Sequence, residues 1–503
     1  MNKKFKCLWS LCLALVFVAI FSINRVNAAT VSQDIKANEE KEGVLEESES
    51  SYVYIFTAPA DGMFSVSLKN KNTEDKHDVF CFDIQNANST ESIFSEINIP
   101  SAESWKIGTK SGEKYIITVK KTHFTREEVT FKLKLDWENS NNWENEPNDQ
   151  QSSARIITPN KDYFGTIVNN DKGDFFKVAA PQNGYFIFTV KHYDPTDNGK
   201  YHLEIFNTKS EEVFSTEDVM LQTNDNDAAT FKIGVRSGET LYAKVKTGAA
   251  QNVTGQVYKI NAGFTPTEIF EMEDNNSTNM ANAITYNTRY TGMTGNWADD
   301  KEDYYKFTVS TTSKVTMTFG AVDESSIISG WDVYLINSKN KSAKVVEKYN
   351  KKDTKTFNLK KGTYYIRIEG DNISNKTKEY YLQLTLKNLN VDKAKPVIKN
   401  AKVTLVKNSL NRNVELKTVT LKKGINDAEY YEVLISENAK MKKATKKIVS
   451  VNPIKNPSKL KIGKRIKSNK KVFYVQTRPY VEDPFGAKIY GRKSVIKKVK
   501  ISR

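Results

Sequence analysis

From about residue 50 onward, apolar and polar positions alternate in short runs that end in Gly, Asn, Asp or Pro. Phe186–Lys191, Val315–Phe319 and Val472–Thr477 are typical, and β-branched and aromatic residues fill their apolar positions. A period of two with these residue types predicts half-buried strands, and many such strands predict sandwiches. Long helical periodicity is missing. The pattern therefore predicts an all-β protein.

The strands recur as blocks. Gly112–Val119, Gly238–Val245 and Gly362–Ile368 each place a turn glycine before an aromatic-bearing strand. Earlier in each unit stand Tyr52–Pro59, Asp174–Pro181 and Asp303–Val309, and closing strands follow at Val129–Leu135, Val257–Ile260 and Tyr380–Leu386. Three repeats, at 29–140, 141–266 and 267–390, are each the size of one sandwich. After the linker-like Lys393–Pro396, a fourth unit at 394–503 contains strand patterns at Tyr430–Ser436, Val472–Tyr480 and Gly486–Gly491.

The 503 residues are too many for one such unit, which agrees with a string of modules. Residues 1–28 read as a secretory signal: Lys3, Lys4 and Lys6 precede an apolar run from Cys7 to Ile23, and Ala28 offers a cleavage site. The run falls short of the ~20 residues a spanning helix needs, which argues against an uncleaved anchor. Removal of the signal would leave Cys81 as the one cysteine, so no intramolecular disulfide is expected. Its strand-like surroundings suggest a small buried hydrophobe. The mature chain is expected to be secreted and extracellular, or held at the cell surface, with no integral membrane span.

The chemical signal lies at the front of repeats two and three. Glu144, Glu146, Asn148 and Asp149 precede Asp171 and Asp174; Glu271, Glu273, Asn275 and Asn276 precede Asp300 and Asp303. On an extended segment, residues two apart share a face. Each glutamate pair would thus project together with its asparagine, opposite the carboxylates of the later turn. An all-oxygen, flexible ligand set of this kind suits Ca2+, whereas soft metals want His or thiolate. The spacing from first glutamate to last aspartate differs by two residues between the copies, which fits an insertion after Gly292.

These motifs, with an Ala/Ile segment, a turn glycine and the late Gly-Thr-Tyr-Tyr strand, resemble the bacterial pre-peptidase C-terminal domain. The collagen-binding domains of clostridial collagenases belong to that family. The resemblance implies jelly-roll-type sandwiches and calcium ligands at Glu144, Glu146, Asn148, Asp149, Asp171 and Asp174. It implies the same at Glu271, Glu273, Asn275, Asn276, Asp300 and Asp303, with the amide of Asn276 replacing an acid. Repeat one lacks the motif, carries Tyr52 where repeat two has Asp174, and reads as a metal-free, degenerate member. The fourth unit resembles a bacterial fibronectin type III domain.

Charge is unevenly spread. Residues 394–503 hold 29 Lys/Arg against 7 Asp/Glu, a surplus of 22, while the whole chain carries +16. The remainder is therefore acidic, and the last unit would be drawn to polyanions. For an exported chain the expected partners are extracellular polymers: a collagen-like protein, a glycan or an anionic cell-wall polymer, and not nucleic acid. Catalytic motifs are missing, and the four histidines (His77, His123, His192, His202) are scattered through the first two repeats. The expectation is a non-catalytic secreted binding or adhesion protein, not an enzyme. The alternative is a targeting or accessory subunit of a secreted hydrolase, binding collagen or glycan.

Overall fold

The computed structural model describes residues 30–46, 51–71, 79–90, 92–122, 128–168, 172–197, 200–215, 228–247, 255–294, 302–323, 330–349, 352–370, 378–406, 413–451 and 458–501. The expected signal at 1–28, and the two expected ligands Asp171 and Asp300, lie outside the described residues. Among the described residues there is no α-helix, and one 3-10 turn, Gln151–Ser153, interrupts the strands. No helix among them is long and apolar enough to cross a membrane. The expected all-β class, built from sandwich-like modules, is what the chain adopts.

Alternation explains the layers. In the strand Gly184–His192, Phe186, Phe188 and Val190 are fully buried while Tyr185, Ile187 and Thr189 face outward. Such strands seal two sheets against each other. In the second unit one sheet runs Arg155–Ile156, Asp174–Ala179, Thr240–Thr247, Tyr201–Phe206, Glu212–Ser215. The facing sheet runs Asp162–Thr166, Val257–Pro266, Gly184–His192, Ala228–Ala229, with Ile233–Val235 also on Gly184–His192.

The first and third units repeat this order. Their first sheets run Thr30–Ile35, Ser51–Thr57, Lys114–Lys121, Phe80–Asn86, Ser92–Ile99 and Asn282–Ala283, Glu302–Val309, Gly362–Gly370, Trp331–Asn337, Ser342–Tyr349. In all three the leading strand pairs parallel to its neighbour, and the next pairing is antiparallel. The self-similarity of the sequence is thus a self-similarity of topology.

The last unit differs. A three-stranded sheet, Ile398–Leu405, Asn413–Leu421, Lys459–Lys467, faces a sheet running Thr445–Ser450, Tyr430–Ser436, Val472–Glu482, Lys488–Tyr490, with Lys497–Lys500 also on Val472–Glu482. Val403, Val414, Leu416, Val419, Phe473 and Val475 are fully buried between them. Leu389 and Val391 join this core, so it begins ahead of residue 394.

One local expectation needs correction. Cys81 is half-buried on the outward face of Phe80–Asn86, because Phe80 and Phe82 take the inward positions. Adjacent tyrosines follow the alternation at Tyr364–Tyr365 and Tyr430–Tyr431, where Tyr364 and Tyr431 point inward and their neighbours outward. Tyr380 and Tyr381 are both buried, since the Arg289 guanidinium lies 3.8 Å from the Tyr381 ring centre and covers it.

Candidate metal centres

A connector enters the second sandwich alongside the strand Asp162–Thr166. Trp143 bridges Phe164 in parallel fashion, and the Glu144 N–H donates to the Phe164 carbonyl at 2.8 Å. This docking turns Glu144 inward, where its Oε1 accepts from the Thr166 N–H at 2.7 Å. Its Oε2 lies 2.9 Å from the hydroxyl of Tyr258, which also lies 2.6 Å from Asp174 Oδ2. Further along the connector, the Asn148 carbonyl accepts from the Phe175 N–H at 3.0 Å, pinning it to the strand that carries Asp174.

Carboxylate oxygens of Glu144, Glu146 and Asp174 lie within 4.8 Å of one another. Glu144 and Asp174 are fully buried and Glu146 is 3% exposed. Asn148 is fully buried as well, and neither atom of its side-chain amide has a hydrogen-bond partner among the described residues.

The third sandwich builds the same centre again. Phe270 bridges Thr291, the Glu271 N–H donates to the Thr291 carbonyl at 2.9 Å, and Glu271 Oε1 accepts from the Met293 N–H. The Tyr380 hydroxyl lies 2.9 Å from Glu271 Oε2 and 2.6 Å from Asp303 Oδ2. Glu271, Glu273 and Asp303 converge within 4.8 Å. Asn275 donates to Glu271 Oε2 at 3.2 Å, and its buried Oδ1 has no hydrogen-bond partner among the described residues. Tyr305 adds a hydroxyl 2.8 Å from that of Tyr380, where the second sandwich has Phe176.

Charge decides what these centres can hold. Two like charges about 4 Å apart repel by about 4 kcal/mol at an effective dielectric of 20, and each centre gathers three carboxyl groups. A phenol carries a single proton, so Tyr258 donates to Glu144 or to Asp174 at any instant. That proton stays on: burial, then the charges of Asp174 and Glu144, push the Tyr258 hydroxyl well above its usual range. Burial, then Asp303 and Glu271, do the same to Tyr380. A hard divalent cation would neutralise the carboxylates and use the spare amide oxygen, and an all-oxygen set with mixed carboxylate and carbonyl donors fits calcium.

Of the expected ligands, Glu144, Glu146, Asn148 and Asp174 come together, as do Glu271, Glu273, Asn275 and Asp303. Asp149 and Asn276 are half-exposed, and Asp149 is outside the converging carboxylates. Sequence reading missed Tyr258, Tyr380 and the glycines opposite them. Gly165 pairs with Tyr258 and Gly292 with Tyr380. A Cβ on Gly165 would stand 2.3 Å from Glu144 Oε2 and from the Tyr258 oxygen, and one on Gly292 would meet Tyr380 and Glu271 as closely. The signal was a column of Tyr258 and Tyr380 that tracks the column of Asp174 and Asp303.

Repeat one changes both columns together. Gly43 pairs with Phe131, and Phe131 meets Tyr52 edge-on at 5.1 Å between ring centres. Aromatic rings thus stand where the other modules hold a tyrosine hydroxyl and an aspartate. No carboxylate cluster of this kind occurs there among the described residues.

Each connector also touches the preceding module. The Glu146 N–H donates to the Gly108 carbonyl at 3.3 Å, and the Glu273 N–H to the Gly234 carbonyl at 3.4 Å. Asn145 donates to the Thr109 carbonyl at 2.7 Å, and Arg155 pairs with Asp61 at 2.9 Å. The centres therefore lie at the joints between modules.

A histidine-containing group in the second sandwich invites comparison with a catalytic triad. Ser215 Oγ and Glu204 Oε1 lie 3.2 and 3.3 Å from the same His202 nitrogen, Nε2. A relay needs nucleophile and acid on opposite ring nitrogens, so this geometry does not supply one.

Residues 301–370, within the third sandwich, match the family model described as the bacterial pre-peptidase C-terminal domain. Three solved structures are similar to parts of the chain. The pre-peptidase C-terminal domain of a Bacillus anthracis collagenase is 18% identical, with a TM-score of 0.19, over 22% of this chain and 100% of that one. A periplasmic inhibitor of g-type lysozyme from Aeromonas hydrophila is 14% identical, with a TM-score of 0.17, over 22% of this chain and 100% of that one. A β-1,2-glucanase from Parabacteroides distasonis is 10% identical, with a TM-score of 0.13, over 40% of this chain and 30% of that one. No curated protein matches the sequence.

Proposed function

We propose that the protein is a secreted, non-catalytic binding or adhesion protein whose second and third modules are locked to their connectors by calcium. The observation that carries this reading is the twice-built cage of converging, largely buried carboxylates at successive joints. Glu144, Glu146, Asn148 and Asp174 would hold one ion, and Glu271, Glu273, Asn275 and Asp303 the other; Asp171 and Asp300 remain candidates from sequence. A cation there would join connector to sandwich and stiffen the string of modules.

The strand order of the last unit, three strands against a larger sheet, supports a fibronectin type III-like module. Its basic surface would anchor the array to an extracellular polymer. The family match at 301–370 favours a second reading, in which the chain is an accessory subunit that targets a secreted hydrolase to collagen or glycan.

The test is a thermal melt of the whole chain with calcium, with chelator and with magnesium. A calcium-selective rise of two transitions is expected, through preferential binding to the folded state. Removal of that rise from the second module alone by Glu144→Ala with Glu146→Ala would assign the site. No rise in the parent protein would refute calcium binding. A pull-down that returned a hydrolase would favour the second reading.

A further inference from the structure

The outer face of the three-stranded sheet in the last unit is strongly basic. Along Lys459–Lys467 the residues Lys459, Lys461, Arg465 and Lys467 are all exposed, while Leu460 and Ile462 point into the core. Lys402 and Lys417 are exposed on the neighbouring strands. The register sets Thr418 opposite both Lys461 and Lys402, and Glu415 opposite Arg465. Glu415 is the one acid on these three strands.

We propose that this face binds an extended polyol-phosphate chain, a linear polymer of phosphodiesters. The proposal rests on the anchoring role given above to the last unit and names both the surface and the polymer class. Residues two apart on a strand are about 6.6 Å apart, so Lys459 with Lys461 and Arg465 with Lys467 form two close pairs of cations along one strand, separated by the bulge at Gly463. A flexible phosphodiester chain can place successive anions along these pairs, and released counterions would drive the association.

The other outward positions favour that polymer over its rivals. They include Lys399, Asn400, Thr404, Asn413, Thr418 and Thr420, with no aromatic ring among them. Bases and sugar rings are gripped by stacking on aromatic side chains, so a nucleic acid or a glycan would find charge here but no platform. Aromatic rings of this unit, Tyr430, Tyr474, Tyr480 and Tyr490 among them, belong instead to the facing sheet.

The experiment measures binding of the full-length protein to poly(glycerol phosphate) across a salt series. One variant replaces Lys459, Lys461, Arg465 and Lys467 by Gln. A control removes the same charge elsewhere through Gln at Lys442, Lys447, Lys497 and Lys498, and Arg465→Lys keeps its pair cationic. The face variant is expected to weaken binding at least tenfold and to flatten the salt slope by about 2–3, from roughly 0.7 per lost phosphate contact. The control and Arg465→Lys are expected to change affinity less than twofold.

Equal weakening by the face variant and the control would overturn the face proposal while leaving polyanion attraction intact. Tighter binding to phosphatidylglycerol vesicles, single-stranded DNA or a sulfated glycan would overturn the polymer class. Failure of the parent protein to bind any of these polyanions would overturn the anchoring role as well. Unchanged melting of the face variant is required for its loss to count as support.

Discussion

The hydroxyl of Tyr258 stands 2.6 Å from a carboxylate oxygen of Asp174, and the same oxygen atom of the tyrosine also reaches Glu144. Tyr380 repeats the relationship with Asp303 and Glu271. One proton thus serves two acids in each centre, a division that a bound cation would relieve. Tyr258→Phe should therefore cost the second module about 1–3 kcal/mol in chelator, where a buried carboxylate loses its donor. In calcium the loss should be smaller. Calorimetry under both conditions checks this; an equal loss in both would mean that the hydroxyl does not share the charge of the cage.

Gly165 and Gly292 leave room for that hydroxyl. Gly165→Ala would push a methyl group into Glu144 and Tyr258, and Gly292→Ala into Glu271 and Tyr380. Each should abolish the calcium response of its own module and leave the other intact. Gly43→Ala meets the Phe131 ring at 2.4 Å and should lower the first transition equally with calcium or chelator. Module-resolved melts of the three variants would show whether the glycines serve the cage or only the packing.

The strands and the repeats were legible because alternation is local: Phe186, Phe188 and Val190 announce their inward face without reference to the rest of the fold. Glu144 and Glu146 were legible for the same reason, since residues two apart share a face on an extended connector. Tyr258 was not. It lies more than a hundred positions from Glu144, and only the pairing of Val257–Pro266 with Asp162–Thr166 brings it beneath the connector. Asp149 follows the inward Asn148 and stays half-exposed. Cys81 was misplaced because two phenylalanines flank it and claim the core.

Glu204 should make the second module sensitive to acid. Burial opposes its charge, but hydrogen bonds from His202 and Lys246 and the charges of Lys246 and Lys244 win, lowering the carboxyl to about 2. The ordinary value is 4.5. A depressed folded-state value means that the stabilisation is complete above about pH 4.5 and is lost as pH falls toward 2. It is worth roughly 3 kcal/mol at most for a shift of this size. Glu204→Gln should reduce stability at neutral pH and flatten the pH dependence between 4.5 and 2. The difference between variant and parent across that window isolates Glu204 from the acids of the cage; a constant difference would refute the assignment.

The joints offer a way to separate ion binding from module coupling. Gly108 lies against the connector on the side of the preceding module, and a Cβ there would stand 2.4 Å from the Glu144 carbonyl oxygen and 2.7 Å from its Cγ. Gly234 holds the equivalent place before Glu271, with an even closer approach to the Glu271 carbonyl. Neither glycine supplies a ligand. If the ion stiffens the joint, displacing the connector should weaken calcium binding through the preceding module, since coupling between two events is reciprocal. Gly108→Ala is expected to lower affinity at the second module's centre several-fold and to expose the connector near Trp143 to protease even with calcium present. Gly234→Ala should do the same one joint further on. Titration calorimetry with limited proteolysis would read both effects. Unchanged affinity in both variants, with Trp143 still protected, would mean that each cage belongs to its own sandwich and that calcium leaves the joint alone.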